Sequence, residues 1–193
     1  MKTLIRFVCC AACIALFATC QKADQVMDDL SGVQLKQAQP ITVTLPLTVE
    51  GYTFFKSISD DPDECGVYPI QKVVVEGPMN GNQLGRFIFQ TTFCNNVETG
   101  EILSGTGAFI AANGDLLFPV TNEMTPVLPA DENDPPYYAQ KWDGKGIFTG
   151  GTGRFEGASG EYIMHGYNSN RPGEENMSFH YWTGTITMVK GKR

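Results

Sequence analysis

The chain contains two histidines, His165 and His180. They fall in late runs that read as neighbouring β-strands. Imidazole titrates close to neutral pH, so two of them facing one lumen would suit acid–base work. On an outer wall, or satisfied inside the wall, they would be ordinary structural residues, and alternation alone does not fix which way either points. Glu161 opens the strand that carries His165. Buried at a barrel mouth, its carboxyl would be pushed up in pKa; on the rim it would simply be solvated. Tyr162, Tyr167, Tyr181 and Trp182 are suited to stacking on sugar rings, to lining an apolar pocket, or to plain packing. Glu161, Tyr162, His165, His180 and Tyr181 are therefore the candidate ligand-binding residues, and no catalytic residue is assigned.

Other charged groups are weaker candidates. Arg154 follows a run of glycines, where it would hold an anion beside bare backbone N–H groups or pin the turn to Glu156 or another acid. No lysine followed by serine or threonine closes that run, so it is not a phosphate loop. Asp60-Asp61-Pro62-Asp63-Glu64 and Asp131-Glu132-Asn133-Asp134 are acidic enough for calcium but lack EF-hand spacing, and acidic runs in loops are usually solvated. The sequence has no zinc, haem or nucleotide signature, and neither metal nor cofactor is expected.

The elements that must position these residues are short β-prone runs split by turn residues. Ile41–Tyr52 alternates, with Pro46 arguing for an edge or a bend. Pro69–Gly77 holds three valines, and Met79-Asn80-Gly81-Asn82 reads as a turn. In Leu84–Cys94, Phe87, Phe89, Thr91 and Phe93 share one face, while Arg86, Ile88, Gln90 and Thr92 share the other. Asn113-Gly114 is a strong hairpin signal between Glu101–Ala112 and Asp115–Thr121. A proline-rich acidic loop follows, then Tyr138–Phe148, Glu161–Tyr167 and Phe179–Val189.

Between two of these runs lies Gly150-Gly151-Thr152-Gly153-Arg154-Phe155-Glu156-Gly157-Ala158-Ser159-Gly160. Glycine at this density cannot be helix and suits a sharp corner. Gly105-x-Gly107-x-Phe109 recurs as Gly144-x-Gly146-x-Phe148, putting two glycines and one ring on a single face each time. Glycine kinks of this kind let a sheet curl shut, which also removes exposed edges. The expected fold is all-β: a closed antiparallel barrel of about eight strands spanning residues 41–193.

The start of the chain carries an address. Lys2 and Arg6 precede an apolar run, Phe7–Ala18, too short to span a bilayer with ease. Leu16-Phe17-Ala18-Thr19-Cys20 resembles a bacterial lipoprotein signal, with residues 1–19 as signal peptide and Cys20 as the lipidated first residue. Plain export with cleavage near Cys20 is the alternative. Residues 20–40 read as a lipidated, polar tether. Gln21-Lys22-Ala23-Asp24 is similar to the lysine-plus-acid signal that some Bacteroidetes lipoproteins carry for surface display. The expected place is the outer membrane of a bacterial cell envelope, reached through the lipid anchor, with exposure at the surface one option.

Loss of the signal leaves 12 basic side chains against 21 acidic ones, a net charge of −9. So acidic a domain is a poor partner for nucleic acid. Of six cysteines, only Cys65 and Cys94 lie in the exported body, where they most simply form a disulfide. A pair of free thiols is the alternative, with no neighbouring pattern that would make either a nucleophile or a metal ligand.

Gly105-Thr106-Gly107-Ala108-Phe109, the glycine-rich corner from Phe148 to Gly160, and Trp182-Thr183-Gly184-Thr185-Ile186 together resemble the dirigent and allene oxide cyclase barrel superfamily, in particular its exported bacterial members. The resemblance covers roughly Ile41–Val189. It implies an eight-stranded antiparallel barrel whose lumen takes an apolar small molecule, often within a homotrimer. It does not imply an activity, because one plant branch cyclises a fatty-acid epoxide and another only orients radicals. No cyclase active-site pattern can be carried onto this chain.

The leading expectation is a non-catalytic, lipid-anchored barrel that binds a small apolar or glycan-like ligand or a protein partner. The rivals are a cyclase- or isomerase-like enzyme using Glu161 and a histidine as acid and base, and a structural oligomer. An early Gly-x-Trp signature, which a lipocalin would carry, is absent.

Overall fold

The strand β1 (Thr42–Ser59) is the spine of the molecule, because it hydrogen-bonds along both edges. The computed structural model describes residues 40–191; the signal peptide, Cys20 and the tether up to residue 39 lie outside the described residues. After β1 come one helical turn, α1 (Pro62–Cys65), and then β2 (Ile70–Gly81), β3 (Gly85–Asn96), β4 (Ile102–Ala111) and β5 (Leu116–Met124). The two-residue β6 (Leu128–Pro129), β7 (Tyr138–Gly151), β8 (Ser159–Ser169) and β9 (Met177–Val189) complete the chain. Around the sheet the order is β5-β4-β3-β2-β1-β9-β8-β7, and pairing of β5 with β7 closes it. The result is an eight-stranded antiparallel barrel, with β6 pairing to the start of β7 on the edge that β5 takes farther along.

Pro46 is tolerated within this spine for a local reason. Proline offers no N–H to a ladder, and at Pro46 β1 is paired with β9 only, since pairing with β2 begins at Val49. Asn82 takes the place of the missing strand. Its Oδ1 accepts from the Thr48 N–H at 2.9 Å, and its Nδ2 donates to the Pro46 carbonyl at 3.2 Å. This corrects the sequence-based turn at Met79–Asn82. The strand β2 runs on through Gly81, and the chain reverses over Asn82–Leu84.

The interior is filled by alternate residues. Phe87 and Phe89 point inward, and Arg86, Ile88 and Gln90 point out. Both Gly-x-Gly-x-Phe copies face the lumen, with Phe109 and Phe148 buried. At some lumenal glycines a ring takes the space that a side chain would need. A Cβ on Gly146 would strike the Tyr162 hydroxyl, and one on Gly166 would strike the Trp142 indole. Leu47, Met79, Phe87, Phe109, Leu117, Phe148, Phe155, Tyr162, Trp182 and Ile186 pack into one continuous core, which fills the end of the barrel bounded by the β2–β3, β4–β5 and β7–β8 turns.

The glycine-rich corner is the plug of that end. After β7 it forms a single 3-10 turn, Gly153–Phe155, that drives Phe155 into the core. The Arg154 N–H donates to Asp115 Oδ2 at 3.0 Å, and Nη2 of its guanidinium donates to the Leu84 carbonyl at 2.6 Å. The corner is thereby tied to two other turns, with the Arg154 guanidinium 4.5 Å above the Phe155 ring. Arg154 thus pins the turn to an acid, Asp115, through its backbone N–H, and uses one guanidinium donor on a backbone carbonyl. Gly153 has φ +54°, and a Cβ there would meet the Asp115 carboxylate. Alanine at that position carries left-handed strain of about 1–2 kcal/mol. Gly153→Ala is expected to lower the urea midpoint accordingly; an unchanged midpoint would show that the corner is not held as described.

Cys65 and Cys94 form a disulfide that joins α1 to β3, with Cα atoms 5.8 Å apart. The acidic segment beside it is used structurally: Asp61 caps α1, Asp60 accepts from Gln71, and Glu64 accepts from Lys72 Nζ at 2.6 Å. Asp131 and Asp134 likewise bracket Lys141. Lys141 holds both carboxyls below the usual carboxylate range, and they in turn push its ammonium up to about 12. Among the described residues no group of three or more His, Cys, Asp or Glu is placed to hold a metal ion.

Candidate functional site

The packed core fills only part of the barrel. Above Trp182 the lumen opens into a cavity of about 650 Å³ that reaches the β3–β4 turn and the segment around Val127–Pro129. Val73, Val75, Phe89, Phe93, Met124, Trp142 and Met164 form its apolar wall. The floor is set by β9, whose even-numbered residues Ser178, His180, Trp182, Gly184 and Ile186 follow the inward alternation. Gly51 of β1 lies opposite His180 in the ladder, which brings Thr53, two residues on and on the same face, to the imidazole. Thr53 Oγ1 and His180 Nε2 are 3.0 Å apart.

Most polar groups in this cavity are satisfied by one another. Ser178 Oγ donates to Asn168 Oδ1 at 2.5 Å, Asn168 Nδ2 donates to Gln140 Oε1 at 2.7 Å, and Thr91 Oγ1 donates to the Thr106 carbonyl at 2.9 Å. Among the described residues four buried side-chain atoms have no protein partner, and three of them, His180 Nδ1, Trp182 Nε1 and Asn95 Oδ1, belong to residues that line this cavity; the fourth, Arg154 Nε, lies at the glycine-rich corner. Buried polar atoms are nearly always hydrogen-bonded, so three such atoms around one cavity single it out as the candidate site. Burial pushes the His180 imidazole down to about 4, so it is uncharged at neutral pH. Among the described residues the cavity lining contains no lysine or arginine, and its single acid is Glu98 at the turn.

The five candidate residues do not all share one surface. His180 lines the lumenal cavity and also borders an outer groove. Tyr162 faces the same interior but lies beneath the cavity, where it stacks on Trp182 with ring centres 4.6 Å apart and bonds Thr121 Oγ1 at 2.9 Å. Burial pushes its phenol up to about 12. Glu161, His165 and Tyr181 are exposed on the outside of the barrel. Glu161 is thus neither a buried carboxylate nor a neighbour of His180, and the acid–base pair that an enzyme reading required is not assembled in the lumen.

His165 and Tyr181 line an outer groove of about 1130 Å³ across β1–β4 and β7–β9, which His180 and Trp142 also border. His165 Nδ1 meets Asp143 Oδ1 at 2.5 Å. Beside them runs a cross-strand row of rings. Tyr138 stacks on Tyr167 at 3.7 Å and Tyr167 on Phe179 at 5.0 Å, nearly parallel in both pairs. These faces are turned to each other, which is sheet packing rather than a platform presented to sugar. In the groove His165 and Asp143 satisfy each other, whereas three of the four unpartnered buried side-chain atoms among the described residues belong to residues that line the lumenal cavity.

Thr53, Asn95 and Trp142 were not identified from the sequence. Thr53 reaches His180 only through a pairing between the two ends of the barrel domain. The signal for the histidines was present: glycines of the lumenal face sit at even positions in both β8 and β9, which sends His165 out and His180 in. No family model matches the chain, and no curated protein or solved structure matches it. The dirigent-like resemblance therefore rests on the quoted residues alone.

Proposed function

We propose that the protein is a non-catalytic binding barrel, held at the bacterial cell envelope by lipid on Cys20, whose lumen takes a small, largely apolar molecule. The observation that carries this reading is a cavity of about 650 Å³ with an apolar wall and unpartnered, buried His180 Nδ1 and Trp182 Nε1 at its floor. An apolar cleft of this size with a few directed polar groups is the usual form of a small-molecule site. The anchor and the address are supported by the lipoprotein-like stretch ending at Cys20 and by the polar residues that follow it.

The reading is tested with the full chain carrying Cys20→Ser, so that no attached lipid competes. N-phenylnaphthylamine, an uncharged apolar dye, is expected to brighten on binding, with a stoichiometry near one per chain. Solvent extraction of the same protein, followed by mass spectrometry, is expected to release a discrete small molecule. Absence of both dye binding and extractable ligand would rule out a functional lumen.

A further inference from the structure

Within that binding reading, on which this step rests, we infer that the lumen selects a neutral ligand whose hydrogen-bond-accepting oxygen, a ketone, ester or ether, is received by two uncharged N–H donors, His180 Nδ1–H and Trp182 Nε1–H. The argument begins at Thr53. Its side chain is fully buried, and among the described residues the partner of its hydroxyl is His180 Nε2. A hydroxyl has one proton to give, and a buried donor left without an acceptor is costly. Thr53 Oγ1–H therefore donates to Nε2. In an uncharged imidazole whose Nε2 accepts, the proton resides on Nδ1. The unpartnered nitrogen is thus a donor.

Trp182 Nε1 can only donate. His180 is 8% exposed and Trp182 1%, and the two stand two residues apart on the inward face of β9. Both unpartnered atoms are thus N–H groups, and neither carries charge; neighbouring side chains cover both, so a guest oxygen reaches them as those side chains shift. What they suit is an acceptor oxygen. A carboxylate would also accept, but it would be buried without a cation, since the cavity lining has no lysine or arginine and its one acid adds repulsion. Burying an unpaired charge costs far more than two neutral hydrogen bonds return. The ligand is therefore neutral at the buried end, which separates ketones, esters and ethers from free fatty acids of the same length.

The test is displacement of N-phenylnaphthylamine from the full Cys20→Ser chain by methyl nonyl ketone and by undecanoate, which have the same number of carbons. The ketone is expected to bind at least roughly tenfold more tightly at neutral pH. Trp182→Phe keeps a ring and removes the N–H; it is expected to weaken the ketone roughly three- to tenfold relative to the dye. A long-range proton–nitrogen NMR spectrum of the unsubstituted His180 gives an independent reading and is expected to show the proton on Nδ1. Undecanoate binding as tightly as the ketone, or a proton on Nε2, would overturn the inference. Dye binding that the ketone cannot displace would overturn the donor assignment while leaving the lumenal site standing. No dye binding at all would remove the site and this inference with it.

Discussion

Trp182→Ala is expected to lower the unfolding free energy by about 3–5 kcal/mol, the usual range for truncating a large buried ring. Trp182 separates the solid half of the barrel from the open half. Its indole stacks on Tyr162, meets Phe109 at 5.0 Å and Phe89 edge-on at 5.3 Å, and is 1% exposed. Backbone pairing to β1 on one side and β8 on the other fixes its Cα, so the wall cannot collapse into the space left behind. The space would join the cavity above it, and the contacts of three neighbouring rings would be lost together. Trp182→Phe, which keeps most of the apolar volume, is expected to cost only about 1–2 kcal/mol. Urea unfolding of the two variants beside the parent chain gives both numbers. A loss below about 1 kcal/mol for the alanine variant would mean that the rings are not close-packed around position 182.

This dependence on one side chain follows from how the barrel is written in the sequence. Local features were legible. Alternation in β3 placed Phe87 and Phe89 on the buried face, Asn113-Gly114 marked the β4–β5 turn, and the repeated Gly-x-Gly-x-Phe marked where rings crowd the lumen. Closure followed from those glycines, because a strand without Cβ atoms on one face can bend toward that face. The site was less legible, because its polar floor depends on which strands become neighbours. Thr53 and His180 are 127 positions apart, and no local pattern announces that β1 will sit beside β9. Glu161 was ambiguous for a different reason. It follows Gly160, which faces inward, and a single step along a strand reverses the face. The Met79–Asn82 turn was misplaced because Asn-Gly-Asn is ordinarily turn chemistry. Here Asn82 instead supplies the hydrogen bonds that β1 lacks around Pro46, which lets β2 extend to Gly81.

The second large effect is on pH dependence, and it comes from the same floor. Burial among Phe89, Trp142 and Thr53 holds the His180 imidazole at about 4, against an ordinary 6.5. The folded chain therefore leaves His180 neutral until the pH approaches 4, whereas the unfolded chain protonates it below about 6.5. Above the unfolded value both states are neutral, and this group adds no slope. As pH falls from about 6.5 to about 4, only the unfolded state gains the proton, so stability declines throughout that window, by about 3 kcal/mol in total. Below the folded value both states are protonated and the contribution levels off. The carboxyls held low by their partners, Glu64, Asp115, Asp131, Asp134 and Glu175, work in the same direction. Their stabilisation is present above their unfolded values and is lost as pH falls toward their depressed folded values. Their window therefore lies beneath the upper part of the histidine window, and because His165 on the outer wall is common to both chains, the difference in slope between the parent and a His180 variant over about pH 6.5 to 5 isolates His180. His180→Gln removes the titrating group while retaining a polar side chain beside Thr53. Urea unfolding at closely spaced pH is expected to show the parent losing stability more steeply across that interval than the His180→Gln chain. An equal slope in both chains would mean that the imidazole is already solvated and charged in the fold, and a lumenal floor built from uncharged donors would then be untenable.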